Sequence, residues 1–293
     1  MIFKKKYRKS GYMIPIYKPN KQGLEMSFSW LFAMVAGGFI LFLAIYAAVR
    51  VINVGETFSN TVTAKQMISI FDPQETGLAA GKARLVSTKL ETKFYFDCNE
   101  LTDPPFGRES IAVSDKLFKE KETEVGEIIT FNNKYIFAES EISGKQFYMF
   151  SMGFLMPFKV SDIIILYSKN YCFYNAPDEV KSDIERLTSL KNVQFLNATD
   201  ECKGTTVCFD SSRECDIKVS TTAKYVQKED TKVFYEGTLL YGAIFSSPNI
   251  YECNVKRLMN KATKLAEVYS EKIKIIERKN CKSNVATKLA FMI

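Results

Sequence analysis

The sequence predicts a mixed domain of the α+β or α/β class, carried on one amino-terminal transmembrane helix. An uncharged run of 24 residues, positions 26–49, is long enough to cross a bilayer. Beyond it, strand-like and helix-like patterns alternate along the chain. All seven cysteines follow that run. We therefore expect an exported domain with a mixed sheet, a strand–helix–strand unit and a long carboxyl-terminal helix.

Residues 1–25 form a basic tail that we expect to stay in the cytoplasm. The tail carries seven Lys or Arg residues against the single acid Glu25, which gives it a local charge of +6. After Arg50 the chain holds 32 basic and 32 acidic side chains, so the net charge of +7 belongs to the amino-terminal end. Positive residues favour the cytoplasmic side of a span. The neutral remainder argues against nucleic acid as a partner, because phosphate binding needs a basic face.

Residues 26–50 are interpreted as the transmembrane helix, an uncleaved signal anchor whose positions 26–49 contact lipid. As a helix this run is about 36 Å long against a hydrocarbon thickness of about 30 Å. Trp30 and Tyr46 lie towards its two ends, where such rings favour the membrane interface. One alternative is a buried helix of a soluble protein. The other is a cleaved secretory signal, whose apolar region is usually shorter, at about 7–15 residues.

Small residues in the span are spaced for a helix–helix contact. Ala33 and Gly37 stand four apart, and so do Ala44 and Ala48. Such spacing lets two helices approach closely, so a homodimer through the membrane helix is a hypothesis.

Residues 51–82 have apolar positions at helical spacing and are expected to form a stalk that continues the span outward. Residues 83–293 form the predicted extracytoplasmic domain. Its first part alternates apolar and polar residues with a period of two, which predicts strands at 83–98, 127–131, 134–138 and 146–151.

A strand–helix–strand unit is predicted next. Residues 163–167 are continuously apolar, as a strand buried on both faces requires. A helix begins at Pro177, and residues 192–196 return as a strand in a parallel crossover. Because no glycine-rich loop links strand to helix, we expect no nucleotide cofactor. Two hairpins follow, 207–210 with 216–220 and 224–227 with 233–236, then a buried apolar segment at 239–246 and a helix at 252–278.

The cysteines are predicted to form structural disulfides, since an exported domain meets an oxidising environment. Their number is odd, so at least one is free or pairs between chains. Cys253 and Cys281 would lie about 40 Å apart on one helix and cannot pair, because bridged α-carbons lie within about 7 Å. Cys202 and Cys208 can close a tight loop, and the other pairings stay open. The candidates are Cys98, Cys172, Cys202, Cys208, Cys215, Cys253 and Cys281.

The residue types present in the sequence favour a binding function over a catalytic one. The chain has no histidine, which removes histidine-based triads, histidine acid–base chemistry and nearly every catalytic zinc site. We assign no catalytic, cofactor or metal residue. A carboxylate pair or a Ser–Lys dyad stays open as the basis of an exported hydrolase. The tripeptide Asn197-Ala198-Thr199 is a candidate glycosylation site.

The chain resembles a family of uncharacterised single-span archaeal membrane proteins in two segments, GLEMSFSW at 23–30 and AIFSSPNIYECNVKRLM at 243–259. This resemblance implies a single-span membrane topology and does not imply any particular activity. The junction KQGLE at 21–25 also resembles the class III signals of archaeal pilin-like proteins, which are cut beside a basic or glycine residue. In those signals a glutamate usually stands fifth after the cut, whereas Glu25 would stand fourth or second here.

The functional prediction is a membrane-anchored extracytoplasmic module that binds or supports another protein or surface of the cell envelope. The first alternative, implied by the pilin-like signal, is a subunit of a filament or secretion apparatus. The second is the histidine-free exported hydrolase.

Overall fold

A computed structural model describes residues 28–75, 83–100, 106–116, 125–187, 190–197 and 199–279. The chain divides into two compact units, Met1–Val51 and Ile52–Ile293. The described part is of mixed α and β composition, with one amino-terminal apolar helix and two mixed sheets.

Helix α1 runs from Phe28 to Glu75. Its segment Phe28–Val51 has a mean hydropathy of 2.3 and is long and apolar enough to cross a membrane. In the most apolar stretch of 18 residues within this segment, no residue is buried by the rest of the protein. A membrane anchor and a signal peptide both fit these properties. Near the end of the segment, Arg50 Nε donates to the Tyr46 hydroxyl at 3.2 Å. The helix continues to Glu75, and the role of that part as a stalk stays a prediction.

The first sheet holds six strands in the order β3-β2-β1-β5-β6-β4. All of its neighbours are antiparallel except the β4–β6 pair. The period-two pattern of β1 buries Thr92, Phe94 and Phe96 while the residues between them stay partly exposed. The strands are β1 Ala83–Asn99, β2 Arg108–Lys116, β3 Ile129–Phe131, β4 Ile136–Phe137, β5 Glu141–Leu155 and β6 Lys159–Tyr167.

The second sheet also holds six strands, in the order β12-β11-β10-β9-β7-β8. Four neighbouring strands, β8, β7, β9 and β10, are parallel, and β11 and β12 extend the sheet as an antiparallel hairpin. The strands are β7 Tyr171–Tyr174, β8 Val193–Leu196, β9 Thr205–Phe209, β10 Ile217–Ser220, β11 Tyr225–Lys228 and β12 Thr231–Phe234.

Three helices pack with the sheets: α2 Asp178–Glu185, α3 Leu239–Phe245 and α4 Pro248–Glu277. Helix α4 begins with proline, whose missing N–H costs nothing in the first turn. Every residue of α3 is buried. Its Phe245 ring lies 4.4 Å from the Tyr167 ring and 4.7 Å from the Tyr171 ring, so α3 joins the two sheets through an aromatic core.

The predicted strand–helix–strand unit needs one correction. The apolar run 163–167 lies in β6 of the first sheet, and the strand that precedes α2 is β7, which the sequence analysis did not identify. β8 pairs in parallel with β7. The run is apolar throughout because β6 is buried on both faces: Ile163 belongs to one hydrophobic cluster and Ile164 to the other.

The hairpin predicted at 207–210 and 216–220 is wrong, because β9 and β10 are parallel neighbours. The second predicted hairpin is confirmed by the antiparallel pair β11 and β12. The helix predicted at 252–278 is confirmed within α4, and the buried apolar segment 239–246 contains α3. Strand β2 had no counterpart among the predicted strands.

Candidate functional site

The candidate site is a crevice at the carboxyl ends of the parallel strands in the second sheet. From β7 the chain passes through α2 to β8 on one side, and it then returns to β9 on the other side of β7. The connection after β7 leads to β8 on one side, and the connection after its neighbour β9 leads to β10 on the other. Connections that leave two adjacent parallel strands in opposite directions open a crevice at the carboxyl edge, where open α/β sheets bind their ligands. We call this pocket the carboxyl-edge crevice. It has a volume of about 450 Å³, and its lining residues are Phe173, Tyr174, Asn175, Ala176, Lys181, Phe195, Leu196, Asn197, Ser211 and Arg213.

The charged side chains that line the carboxyl-edge crevice are both cations, Lys181 and Arg213. Two further pockets of the described residues carry both signs. One, at the amino edge of the same strands, is lined by Lys169 and Lys228 together with three acids. The other, beside α2 and α3, has three acids and one lysine. A crevice lined by cations alone has an electrostatic preference for an anion.

The end of β7 is held in place by Asn175. This residue has a positive φ of 54°, a conformation that asparagine tolerates better than most residues. Its Nδ2 donates to the carbonyl oxygen of Phe209 at 2.9 Å, which ties the end of β7 to the end of β9. The Arg213 guanidinium lies 4.1 Å from the centre of the Tyr174 ring, so the cation is positioned over an aromatic face.

Two disulfides lie in the sheet that carries the crevice. Cys172 of β7 is bonded to Cys202 in the connection to β9, and Cys208 of β9 is bonded to Cys215 just before β10. Together with Tyr174, these cysteines form a small buried cluster. The Tyr174 hydroxyl donates to the Asp200 carbonyl oxygen at 2.9 Å. The loops around the crevice are therefore cross-linked to the strands that build it.

A third disulfide joins Cys98 at the end of β1 to Cys253 in the first turns of α4. The expected pairing of Cys202 with Cys208 is wrong, since each of them bonds another partner. That expectation weighed only the short loop between them, whereas the parallel arrangement of β7 and β9 brings Cys172 to Cys202. Cys281, the seventh cysteine, lies outside the described residues.

The remaining candidates from the sequence fall in two places. Asn197 is exposed and lines the carboxyl-edge crevice, where its backbone N–H donates to Asp200 Oδ2 at 2.8 Å. Its glycosylation stays a prediction. Trp30 and Tyr46 are both about half exposed on α1, at 50% and 52%, and their role as interface anchors also stays a prediction.

A buried polar cluster lies away from the crevice, between α4 and the first sheet. Glu109 of β2 accepts hydrogen bonds from the Ile136 backbone N–H, at 3.0 and 3.2 Å, and from the Asn254 amide. Arg257 is fully buried, and its Nη1 lies 3.6 Å from Glu109 Oε1. Arg257 also donates to the carbonyl oxygens of Phe106 and Lys134, at 2.8 and 3.1 Å. Each charge is compensated, and the cluster fixes α4 on the sheet.

Burial raises the pKa of Glu109 to about 7, although Arg257, Asn254 and the Ile136 N–H act to lower it. The folded protein then binds a proton more readily than the unfolded chain, so this carboxyl contributes most stability at acid pH. That contribution is lost as pH rises from about 4.5 to about 7.

We therefore expect the Glu109→Gln variant to lose this pH dependence. Between pH 8 and pH 5, the free energy of unfolding of the natural protein should rise relative to the variant by about 2 kcal/mol. Denaturant unfolding of both proteins at several pH values measures this difference. A constant difference across that range would contradict a raised Glu109 pKa.

The amino-edge pocket, of about 610 Å³, holds a second ionisable group with a shifted pKa, the partly buried Lys228. Burial lowers the pKa of Lys228 to about 8. Its Nζ donates to the Ser246 carbonyl oxygen at 2.6 Å, and the Ser246 hydroxyl donates to the Gly242 carbonyl oxygen. The lysine therefore binds main chain rather than a serine hydroxyl, so this contact gives the Ser–Lys hypothesis no support. Among the described residues, no three His, Cys, Asp or Glu side chains form a metal-binding group.

Sequence reasoning missed the residues that give the crevice its charge, Lys181 and Arg213. Arg213 follows β9, and Lys181 lies in the first turn of α2 after β7. Their positions after successive strands were a usable signal, since the ends of parallel strands meet at one edge. The signal was lost because β7 was not identified and β9 was expected in a hairpin.

Comparison of the chain with protein-family models, curated proteins and solved structures finds no match.

Proposed function

We propose that this protein is a membrane-anchored extracytoplasmic module that binds or supports another component of the cell envelope. One observation carries the proposal: the apolar segment Phe28–Val51 is followed by a folded domain with three disulfides. Disulfides persist in oxidising compartments and are rare in the cytosol. A domain that depends on them fits the outer side of a membrane.

The proposed orientation places residues 1–25 in the cytoplasm and the folded domain outside. Seven basic residues in the tail against one acid support this direction of insertion. The anchor contacts lipid through residues 26–49, and its small residues allow a second copy to pair with it. For a partner in the envelope, the domain offers a rigid, cross-linked sheet edge rather than a flexible surface.

Protease accessibility tests this proposal. Intact cells carrying the full chain with an amino-terminal tag are treated with protease and compared with lysed cells. We expect the carboxyl-terminal domain to be degraded in intact cells, while the tag stays protected until lysis. Protection of the domain in intact cells, with degradation only after lysis, would overturn the proposal.

One observation supports a second candidate, the pilin-like subunit. Helix α1 continues from the apolar segment to Glu75 without a break at Gly55. A long helix that is apolar at its start and followed by a folded domain is the arrangement that the signal at 21–25 implies. Intact mass distinguishes the candidates, since a mature chain that starts at Gln22 or Leu24 supports the pilin-like subunit and a full-length chain rejects it.

A further inference from the structure

We propose that the carboxyl-edge crevice binds a small polar ligand that carries an oxyanion, namely a sugar bearing a carboxylate, sulfate or phosphate. This inference rests on the binding role proposed above and names the class of ligand. Three features of the crevice support it: its charge, its remaining polar groups and its aromatic wall.

The charge of the crevice comes from two cations on separate elements. Lys181 on α2 has an ion-pair contact with Asp178 at 3.6 Å, but the Asp178 side chain is fully exposed, so water screens the pair. Arg213, after β9, is held over the Tyr174 ring. Among the described residues that line the crevice, these two cations are the only charged side chains; Asp200, which accepts from the Asn197 backbone N–H, and Asp178 lie beside the lining and are not part of it. Hydrogen bonds from charged donors are shorter and stronger than those between neutral groups.

The polar groups beside the cations match the hydroxyls of a sugar. The Asn175 amide donates one hydrogen bond to Phe209, which leaves its Oδ1 as an acceptor at the crevice. The Ser211 hydroxyl accepts from the Arg213 backbone N–H at 3.1 Å and keeps its proton to donate. Asn197 adds a second, exposed amide. A sugar hydroxyl both donates and accepts hydrogen bonds, so it can pair with the donor groups and with the acceptor groups of these amides and of the Ser211 hydroxyl.

The size and wall of the crevice limit the ligand. Its volume of about 450 Å³ lies within the range of small-molecule sites, about 300–1,000 Å³. Phe195, which is partly exposed, supplies aromatic surface that can pack against the apolar face of a sugar ring, whereas the Tyr174 ring is buried beneath Arg213. A macromolecular polyanion does not fit this geometry, because the cations lie in a concave pocket rather than along an extended face.

Titration of the full chain in detergent micelles tests the inference. The probes are glucuronate, glucose 6-sulfate and glucose 6-phosphate, and uncharged glucose is the reference. The Thr199→Ala background keeps Asn197 unmodified in every sample. We expect saturable binding of at least one charged probe, with glucose at least tenfold weaker. The probe that binds most tightly identifies the oxyanion.

Three variants locate the site. Lys181→Gln and Arg213→Gln are each expected to weaken binding about tenfold, equivalent to about 1.4 kcal/mol. Lys191→Gln removes an exposed lysine from the turn before β8, outside the crevice lining, and should leave binding unchanged. Thermal unfolding of each variant verifies that it is folded.

Two results would overturn the inference. One is no saturable binding of any charged probe at concentrations up to about 10 mM. The other is equal weakening of binding by Lys191→Gln and Arg213→Gln. These results concern the ligand alone, because binding in micelles does not depend on the side of the membrane. The protease experiment fails or succeeds independently of them.

Discussion

Removal of the Cys98–Cys253 disulfide, by changing both residues to alanine, is expected to lower the free energy of unfolding by about 5 kcal/mol. This bond closes a loop of 155 residues, and in the chain-entropy model the stabilisation grows with the length of the closed loop. The bond also joins the end of β1 to the start of α4, so its loss removes the covalent tie between the helix and the first sheet. Thermal and denaturant unfolding of the full chain in detergent, monitored by circular dichroism, measure the change.

The other two disulfides provide matched controls with the same chemistry and shorter loops. Cys172–Cys202 closes 30 residues and Cys208–Cys215 closes seven. The same model gives losses of about 4 and about 2 kcal/mol for the corresponding double alanine variants. If the seven-residue loop proved the most stabilising, the loop-length explanation would be wrong.

The second large effect is expected for Arg257→Met, which should destabilise the protein by about 3–5 kcal/mol at pH 8. Methionine preserves most of the side-chain volume but removes the cation that pairs with Glu109 and the hydrogen bonds that the guanidinium donates to the Phe106 and Lys134 carbonyl oxygens. The Glu109 carboxylate would then be buried without its cation. Denaturant unfolding at pH 8, where Glu109 is ionised in the folded natural protein, measures the loss.

Two further variants separate a charge effect from a packing effect. Arg278→Met changes an exposed arginine at the end of the same helix and should alter stability by less than about 0.5 kcal/mol. Adding Glu109→Gln to Arg257→Met should recover at least about 1 kcal/mol, since it removes the unpaired carboxylate. Strictly additive effects of the two changes would show that the pair is not coupled.

Local sequence patterns predicted α1, α2, α4 and most of the described strands, whereas 239–246 was expected only as a buried apolar segment and forms α3. The apolar stripe of α4 and the alternation in β1 report directly which face is buried. The pairing of strands was less accessible, since it depends on contacts distant in sequence. The run in β6 and the short strand β7 are both continuously buried, and periodicity alone could not assign them to different sheets.

The candidate site was less predictable than the fold for the same reason. Asn197 was identified from its tripeptide, but its position beside Lys181 and Arg213 requires the parallel order of β8, β7 and β9. The cysteines were predicted as a disulfide set, whereas their pairing follows from that strand order. Buried Arg257 was not predicted, because it lies with Asn254 on a helical stripe that is otherwise apolar, and spacing alone does not show whether a polar residue on such a stripe is buried.

The proposed function requires this domain to fold with its disulfides on the oxidising side of a membrane. Alkylation of free thiols in intact cells, followed by non-reducing peptide mapping of the full chain, tests it most directly. We expect the peptide with Cys98 to be recovered linked to the peptide with Cys253, a pair separated by 155 positions that the fold brings together. Recovery of both cysteines as alkylated free thiols would contradict it.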